Sequence, residues 1–129
     1  MTIVLSIKPE FANKIFAGTK KYEFRRVIFK NPQVKKVVVY ASSPIQKIIG
    51  EFEIEQIISY DLITLWNKTK RHSGISESYF FEYFGDKELG YAIKIKNTKL
   101  YRVPKCIRED FNLIPPQSFL YLTPEIKRA

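Results

Sequence analysis

The sequence predicts an α+β fold, a small mixed β-barrel of five to six strands flanked by two to three short helices. Three observations carry that expectation. The hydrophobic period changes from alternating to helical and back along the chain. Only the first connection between strands is a helix, which argues against a doubly wound sheet. The 129 residues suit one core rather than two, so 1–129 reads as a single domain.

The elements follow in order. Residues 3–7, rich in Ile and Val, read as a strand that stops at Lys8-Pro9. Pro9 suits the first helical position, with Phe11, Ala12, Ile15 and Phe16 forming an apolar stripe. Glu10 pairs with Lys14 one turn on and Gly18 supplies a left-handed stop, which predicts a helix over 9–17. From Lys20 the period is two: Tyr22, Phe24 and Arg26 alternate with Lys21, Glu23 and Arg25. After a turn at Asn31-Pro32, residues 35–41 form a strand whose Val37-Val38-Val39-Tyr40 run is too continuous for one-sided burial, which places it at the sheet centre. Ser42-Ser43-Pro44 ends it. Residues 48–58 alternate Phe52 and Ile54 against Glu51, Glu53 and Glu55, with a bulge predicted where the phase slips at Ile57-Ile58. Leu62, Leu65, Trp66 and Thr69 keep helical spacing, and Ser76 caps a second short helix holding Phe80, Phe81, Tyr83 and Phe84. Residues 90–96 and 100–103 are strands joined by a turn at Asn97-Thr98, and 119–122 is a last strand.

Composition narrows the function classes. With 45% hydrophobic and 27% charged residues the chain reads as soluble and globular, and no apolar run approaches the length of a membrane span. The opening apolar stretch is too short for an export signal, so a reducing cytoplasm is the expected location. One cysteine, Cys106, excludes an internal disulfide, and with the single His72 it argues against both a zinc site and a nucleophilic pair. No phosphate loop, dinucleotide fingerprint, HExxH or GxSxG occurs, so no metal and no cofactor is expected. Net charge is +9, distributed as +8 over residues 1–50, −4 over 51–91 and +5 over 92–129. Basic ends around an acidic middle predict a polarised surface that attracts polyanions, which makes nucleic acid the expected partner.

The segment Gly18-Thr19-Lys20-Lys21-Tyr22-Glu23-Phe24-Arg25 is the most informative. A helix stop is followed at once by two cations and a carboxylate. Lys20 and Arg25 can hold a phosphate or a carbonyl, and Glu23 can accept from a base amino group or orient a lysine. A carboxylate this close pushes the Lys20 pKa up, which favours a binding ion pair over a poised base. Ser42 and Ser43 offer hydroxyls at a strand end, Ser73 precedes a helix N-terminus, and Gln117 and Ser118 lie close to a sheet end. Nineteen aromatic residues exceed the needs of one core, so Tyr22, Tyr40 and Trp66 are candidates for a stacking wall, although the helical spacing of Trp66 with Leu62 and Leu65 favours packing for it.

Gly18-x-Lys20-x-x-Glu23-x-Arg25 resembles the GxKxxExR signature of the ASCH domain, within the PUA-like superfamily. The likeness extends in order through Ser6-Ile7-Lys8-Pro9, Tyr40-Ala41-Ser42-Ser43-Pro44, Gly50-Glu51-Phe52, His72-Ser73-Gly74-Ile75-Ser76, Gly90-Tyr91-Ala92-Ile93 and Pro116-Gln117-Ser118-Phe119. The resemblance implies a β-barrel flanked by helices, with a cleft between barrel and first helix. It also implies RNA binding in transcription- or translation-linked roles. Small bacterial members of the group include a hydrolase that deacetylates N4-acetylcytidine, and ribonuclease activity is described in it. Lys20 stands where that hydrolase branch has its essential lysine, and Glu23 stands where it has threonine. The branch's distal glutamate would fall on Glu51 or on an acid of the helical middle. The expected function is therefore binding of RNA, or of a modified nucleotide, in a basic cleft. The alternative is hydrolysis of an acylated cytidine or cleavage of RNA, with Lys20 and Glu23 catalytic. The expected ligand-facing residues are Lys8, Lys20, Glu23, Arg25, Arg26, Ser42, Ser43, Ser73, Gln117 and Ser118, with the bases of 94–102 supplying outer phosphate contacts.

Overall fold

Two valine- and isoleucine-rich strands, β1 (Thr2–Ile7) and β3 (Lys36–Ala41), lie parallel within one six-stranded sheet, in a computed structural model that describes residues 1–122. Between them in sequence come α1 (Pro9–Ala17) and the four-residue β2 (Tyr22–Arg25). Then follow β4 (Lys47–Asp61), α2 (Leu62–Thr69), a 3-10 turn (Lys70–His72), α3 (Glu77–Phe84), β5 (Leu89–Lys105), α4 (Ile107–Phe111) and β6 (Phe119–Leu122). The strand order is β2-β5-β4-β3-β1-β6, and every pairing except β1 with β3 is antiparallel.

β3 is buried on both faces because each face meets its own apolar layer. Val37 and Val39 pack with Ile3, Leu5 and Ile15 on the α1 side, whereas Val38 and Tyr40 pack with Val4, Ile107 and Phe111 on the α4 side. A third cluster forms where α2 and α3 lay Leu65, Trp66, Phe80 and Phe84 over Phe24 and Ala92. Both of these helices start on side-chain caps: Asp61 accepts from Thr64 N at 3.1 Å, and Ser76 Oγ accepts from Tyr79 N at 3.1 Å.

The sheet does not close through a backbone ladder: among the described residues β2 and β6 are its two outer strands. A side chain spans the gap instead. Arg25, at the end of β2, donates from Nη2 to the Ser6 carbonyl of β1 at 2.8 Å and from Nη1 to Ser118 Oγ, just ahead of β6, at 3.4 Å.

Two local expectations are corrected, and one short helix was not anticipated. The predicted turn at Asn97-Thr98 is a bulge inside the continuous β5, because β4 keeps pairing on either side, Glu53 with Lys96 and Glu51 with Lys99; Asn97 takes a positive φ of 50°. The pairing of β4 with β5 shifts register between Ile48 and Gly50, between Glu51 and Glu53 and between Ile54 and Gln56, and stays regular at Ile57-Ile58. The five-residue α4, without a long apolar stripe to announce it, has Asp110 Oδ2 accepting from Cys106 N at 2.7 Å at its start. Among the described residues, no helix is long and apolar enough to cross a membrane, and no group of three or more His, Cys, Asp or Glu side chains is placed to hold a metal ion.

Candidate functional site

The site is built from the turn that ends α1. Gly18 adopts φ +87°, and the N–H groups of Thr19 and Lys20 both return to Lys14 O at 3.1 Å, which reverses the chain. Lys21 N then donates to His72 O at 2.8 Å and pins the turn to the loop ahead of α3. That loop crosses directly over the Lys20 stem. A Cβ on Gly74, whose φ is +69°, would stand 2.6 Å from Lys20 Cβ and Cγ, so only glycine permits this approach.

Lys20 is consequently 2% exposed. Its Nζ donates to Ser73 O at 2.7 Å, lies 4.9 Å from the Phe24 ring centre and 5.3 Å from that of Phe11, and sits 3.9 Å from Glu23 Oε1. The other Glu23 oxygen, Oε2, accepts from Arg25 Nη2 at 3.0 Å. Glu23 and Arg25 are themselves buried. Three charged side chains thus share one enclosed hollow, and Arg25 also ties the sheet edges together. Its Nε, buried, has no hydrogen-bond partner among the described residues.

Burial decides the lysine's ionisation. Desolvation lowers the Lys20 pKa from 10.5 to about 8; Glu23 pulls it upward but does not win, and the Lys14 and Arg25 charges lower it further. The expectation that Glu23 holds this pKa high is therefore reversed. A sequence shows the neighbouring carboxylate but not the solvent excluded by Gly74, Phe11 and Phe24.

Over these charges opens a cleft of about 310 Å³. Its floor holds Lys20, Glu23, Phe24 and Arg25; Ser6, Ile7 and Lys8 come from the end of β1, Phe11 from α1, Ser42 from the end of β3, and Ile75, Tyr79 and Tyr83 from α3 and the loop before it. Gln117 completes the rim. Tyr79 and Tyr83, one helical turn apart, have nearly parallel rings with centres 6.5 Å apart. Lys8 Nζ lies 5.3 Å from the Tyr79 ring centre, and the Arg26 guanidinium lies 5.4 Å from that of Tyr83. Tyr83 OH donates to Phe24 O at 3.2 Å, and burial raises its pKa.

Of the expected site residues, Lys8, Lys20, Glu23, Arg25, Ser42 and Gln117 line the cleft together. Arg26 is exposed beside it, reaching it through Tyr83. Ser43 and Ser118 do not line it: Ser43 is exposed in the turn after β3, and Ser118 Oγ receives Arg25. Ser73 is buried, and its hydroxyl faces Ile75 O at 2.9 Å and Lys70 O at 3.3 Å, one of which takes its single proton; it serves the site through the carbonyl that receives Lys20. The expected stacking wall is also corrected. Tyr40 is core and Tyr22 lines a different depression, whereas Trp66 packs in the third cluster as its helical spacing favoured, its Nε1 donating to Glu77 Oε1 at 3.0 Å. The aromatic wall is Tyr79 and Tyr83, whose i, i+4 spacing beside the core-facing Phe80 and Phe84 was the available signal. Glu51 lies outside the cleft, accepting from Tyr101 OH at 2.7 Å and pairing with Lys36 at 3.0 Å.

A curled six-stranded α+β sheet with a basic cleft at the end of its first helix defines the class. Residues 5–99 match the ASCH domain, and the chain belongs to that family. It is 34% identical over 127 residues to an ASCH domain-containing ribonuclease of Zymomonas mobilis, a match that covers 95% of this chain and 84% of that protein. A crystal structure of ASCH from Zymomonas mobilis superposes with a TM-score of 0.88 at 33% identity, over 96% of this chain and 89% of that one. The chain is also 37% identical over 123 residues to the ATP synthase subunit alpha of Ureaplasma parvum, but it spans only 15% of that protein's length, so the likeness is to one segment of it.

Proposed function

We propose that this domain binds single-stranded RNA and seats one nucleotide in the cleft. The base lies against Tyr79 and Tyr83, and its phosphates face Lys8 and Arg26. The observation that carries this reading is the buried Lys20–Glu23–Arg25 set opening into an aromatic-walled, cation-rimmed hollow. Burying charges costs stability that pairing offsets only in part, and a base edge with mixed donors and acceptors is what such a set can address. Fluorescence anisotropy with a labelled RNA oligomer tests it. Lys20→Ala should weaken binding while the protein stays folded by circular dichroism; unchanged affinity in the folded variant rejects the site.

A second reading, RNA cleavage, is favoured by the lowered Lys20 pKa and by the relative named a ribonuclease. The ribose 2′-oxygen would attack the adjacent phosphorus and pass its proton to the Glu23 carboxylate, as the P–O5′ bond breaks and the departing oxygen takes a proton from the Lys20 ammonium. A lysine with pKa about 8 is a better proton donor than an ordinary one. Chromatography of a mixed RNA pool and of N4-acetylcytidine after incubation separates the outcomes. Shorter RNA supports cleavage, cytidine plus acetate supports the amidohydrolase alternative, and no product beyond a heat-killed control leaves binding alone.

A further inference from the structure

On the side of β2 to which Tyr22 points, a second depression of about 260 Å³ is lined by Tyr22, Gln56, Ile58, Tyr60, Lys68 and Lys94. We propose that it is a second nucleotide-binding subsite, taking a base of the same RNA strand that enters the cleft; the proposal rests on the RNA reading above. Tyr60, on β4, is 38% exposed and Tyr22 is half-buried, so two phenol rings remain in reach of solvent on a sheet face. Lys68 of α2 already holds its Nζ 5.0 Å from the Tyr60 ring centre. Lys94 stands directly across from Tyr22 in the β2–β5 pairing and across from Gln56 in the β4–β5 pairing. Aromatic faces flanked by ammonium groups, with one amide within the same hollow, match a stacked base, its phosphate and its hydrogen-bonding edge. Lys94 also pairs with Glu55 at 3.0 Å.

The chain's connectivity links the two sites. β2 is the outer strand of the sheet, and its four residues contribute to both: Tyr22 to the depression, Glu23, Phe24 and Arg25 to the cleft. Tyr22 and Arg25 are about 10 Å apart along the strand, a separation that a few extended nucleotides cross, and among the described residues no further strand pairs beyond β2 on that side. A mononucleotide can occupy only one of the sites, whereas a longer RNA reaches both.

Anisotropy with a labelled short RNA of several nucleotides, and competition by a single mononucleotide, test the subsite with Tyr60→Ala, Tyr60→Phe, Lys68→Glu and Lys20→Ala. Tyr60 is on the surface, so its removal leaves the core intact. Tyr60→Ala should weaken oligomer binding about tenfold and leave the mononucleotide affinity unchanged, with Tyr60→Phe close to wild type and Lys68→Glu weakened. Wild-type oligomer affinity in Tyr60→Ala, alongside loss in Lys20→Ala, overturns the subsite and leaves the cleft standing. Loss in Tyr60→Ala with none in Lys20→Ala supports the depression and rejects the cleft. An oligomer that fails to bind the wild-type protein overturns both.

Discussion

Lys20 costs the protein stability where it stands. Its pKa is about 8 when folded and 10.5 in the unfolded chain, so between those values the unfolded state holds more protons and stability rises as pH increases from 8 to 10.5. Below pH 8 the buried ammonium withholds on the order of 3 kcal/mol, partly returned by its bond to Ser73 O. Lys20→Met should therefore be about 1–3 kcal/mol more stable than wild type in urea unfolding at pH 7, with the gap shrinking toward pH 10; a variant less stable across that range contradicts the account. A stabilised variant that no longer binds RNA would identify the lysine as kept for function. Gly74 is the companion residue. Gly74→Ala must place a methyl against the lysine stem at positive φ, and should cost about 2–4 kcal/mol by the same measurement.

At the scale of elements, α3 carries the cleft's aromatic wall and is short, so its cap matters. Ser76→Ala should lose about 1 kcal/mol in urea unfolding. Local chemistry made much of this layer readable. Pro9 and Gly18 delimit α1, and Ser76 with the 80/84 phenylalanine spacing announces α3, because caps and helical periodicity act over a single turn. The antiparallel β4–β5 pair was less legible. Asn97-Thr98 is turn-like by composition, and only continued pairing with β4 on both sides makes it a bulge. Likewise Tyr22, Tyr40 and Trp66 are as aromatic as Tyr79 and Tyr83, and which of them meet solvent at the cleft depends on how α3 docks.

For the molecule as a whole, Arg25 both completes the charged set and holds β2 to the β1–β6 end of the sheet. Arg25→Ala would leave Glu23 buried with only the distant Lys20, and should cost about 3 kcal/mol or more of stability in thermal or urea unfolding. Binding should also fall with salt. On the proposed contacts of Lys8 and Arg26 with phosphate, log affinity should decline with log salt at a slope of about −1.4, and Arg26→Ala should flatten it by about 0.7. A slope indistinguishable from zero would remove the phosphate contacts from the account.

The amino-acid order by itself determined the alternation of short helices and strands, the double-sided burial of β3, the basic balance and the clustering of Lys20, Glu23 and Arg25, since all of these follow from covalent spacing, side-chain chemistry and backbone preference within a few residues. Tertiary structure alone decided that Lys20 loses its water, that Ser73 lends a carbonyl rather than a hydroxyl, and that an arginine bridges the sheet edges. Desolvation and side-chain partnership depend on segments as many as 93 residues apart, as Arg25 and Ser118 are, and no local pattern specifies their approach.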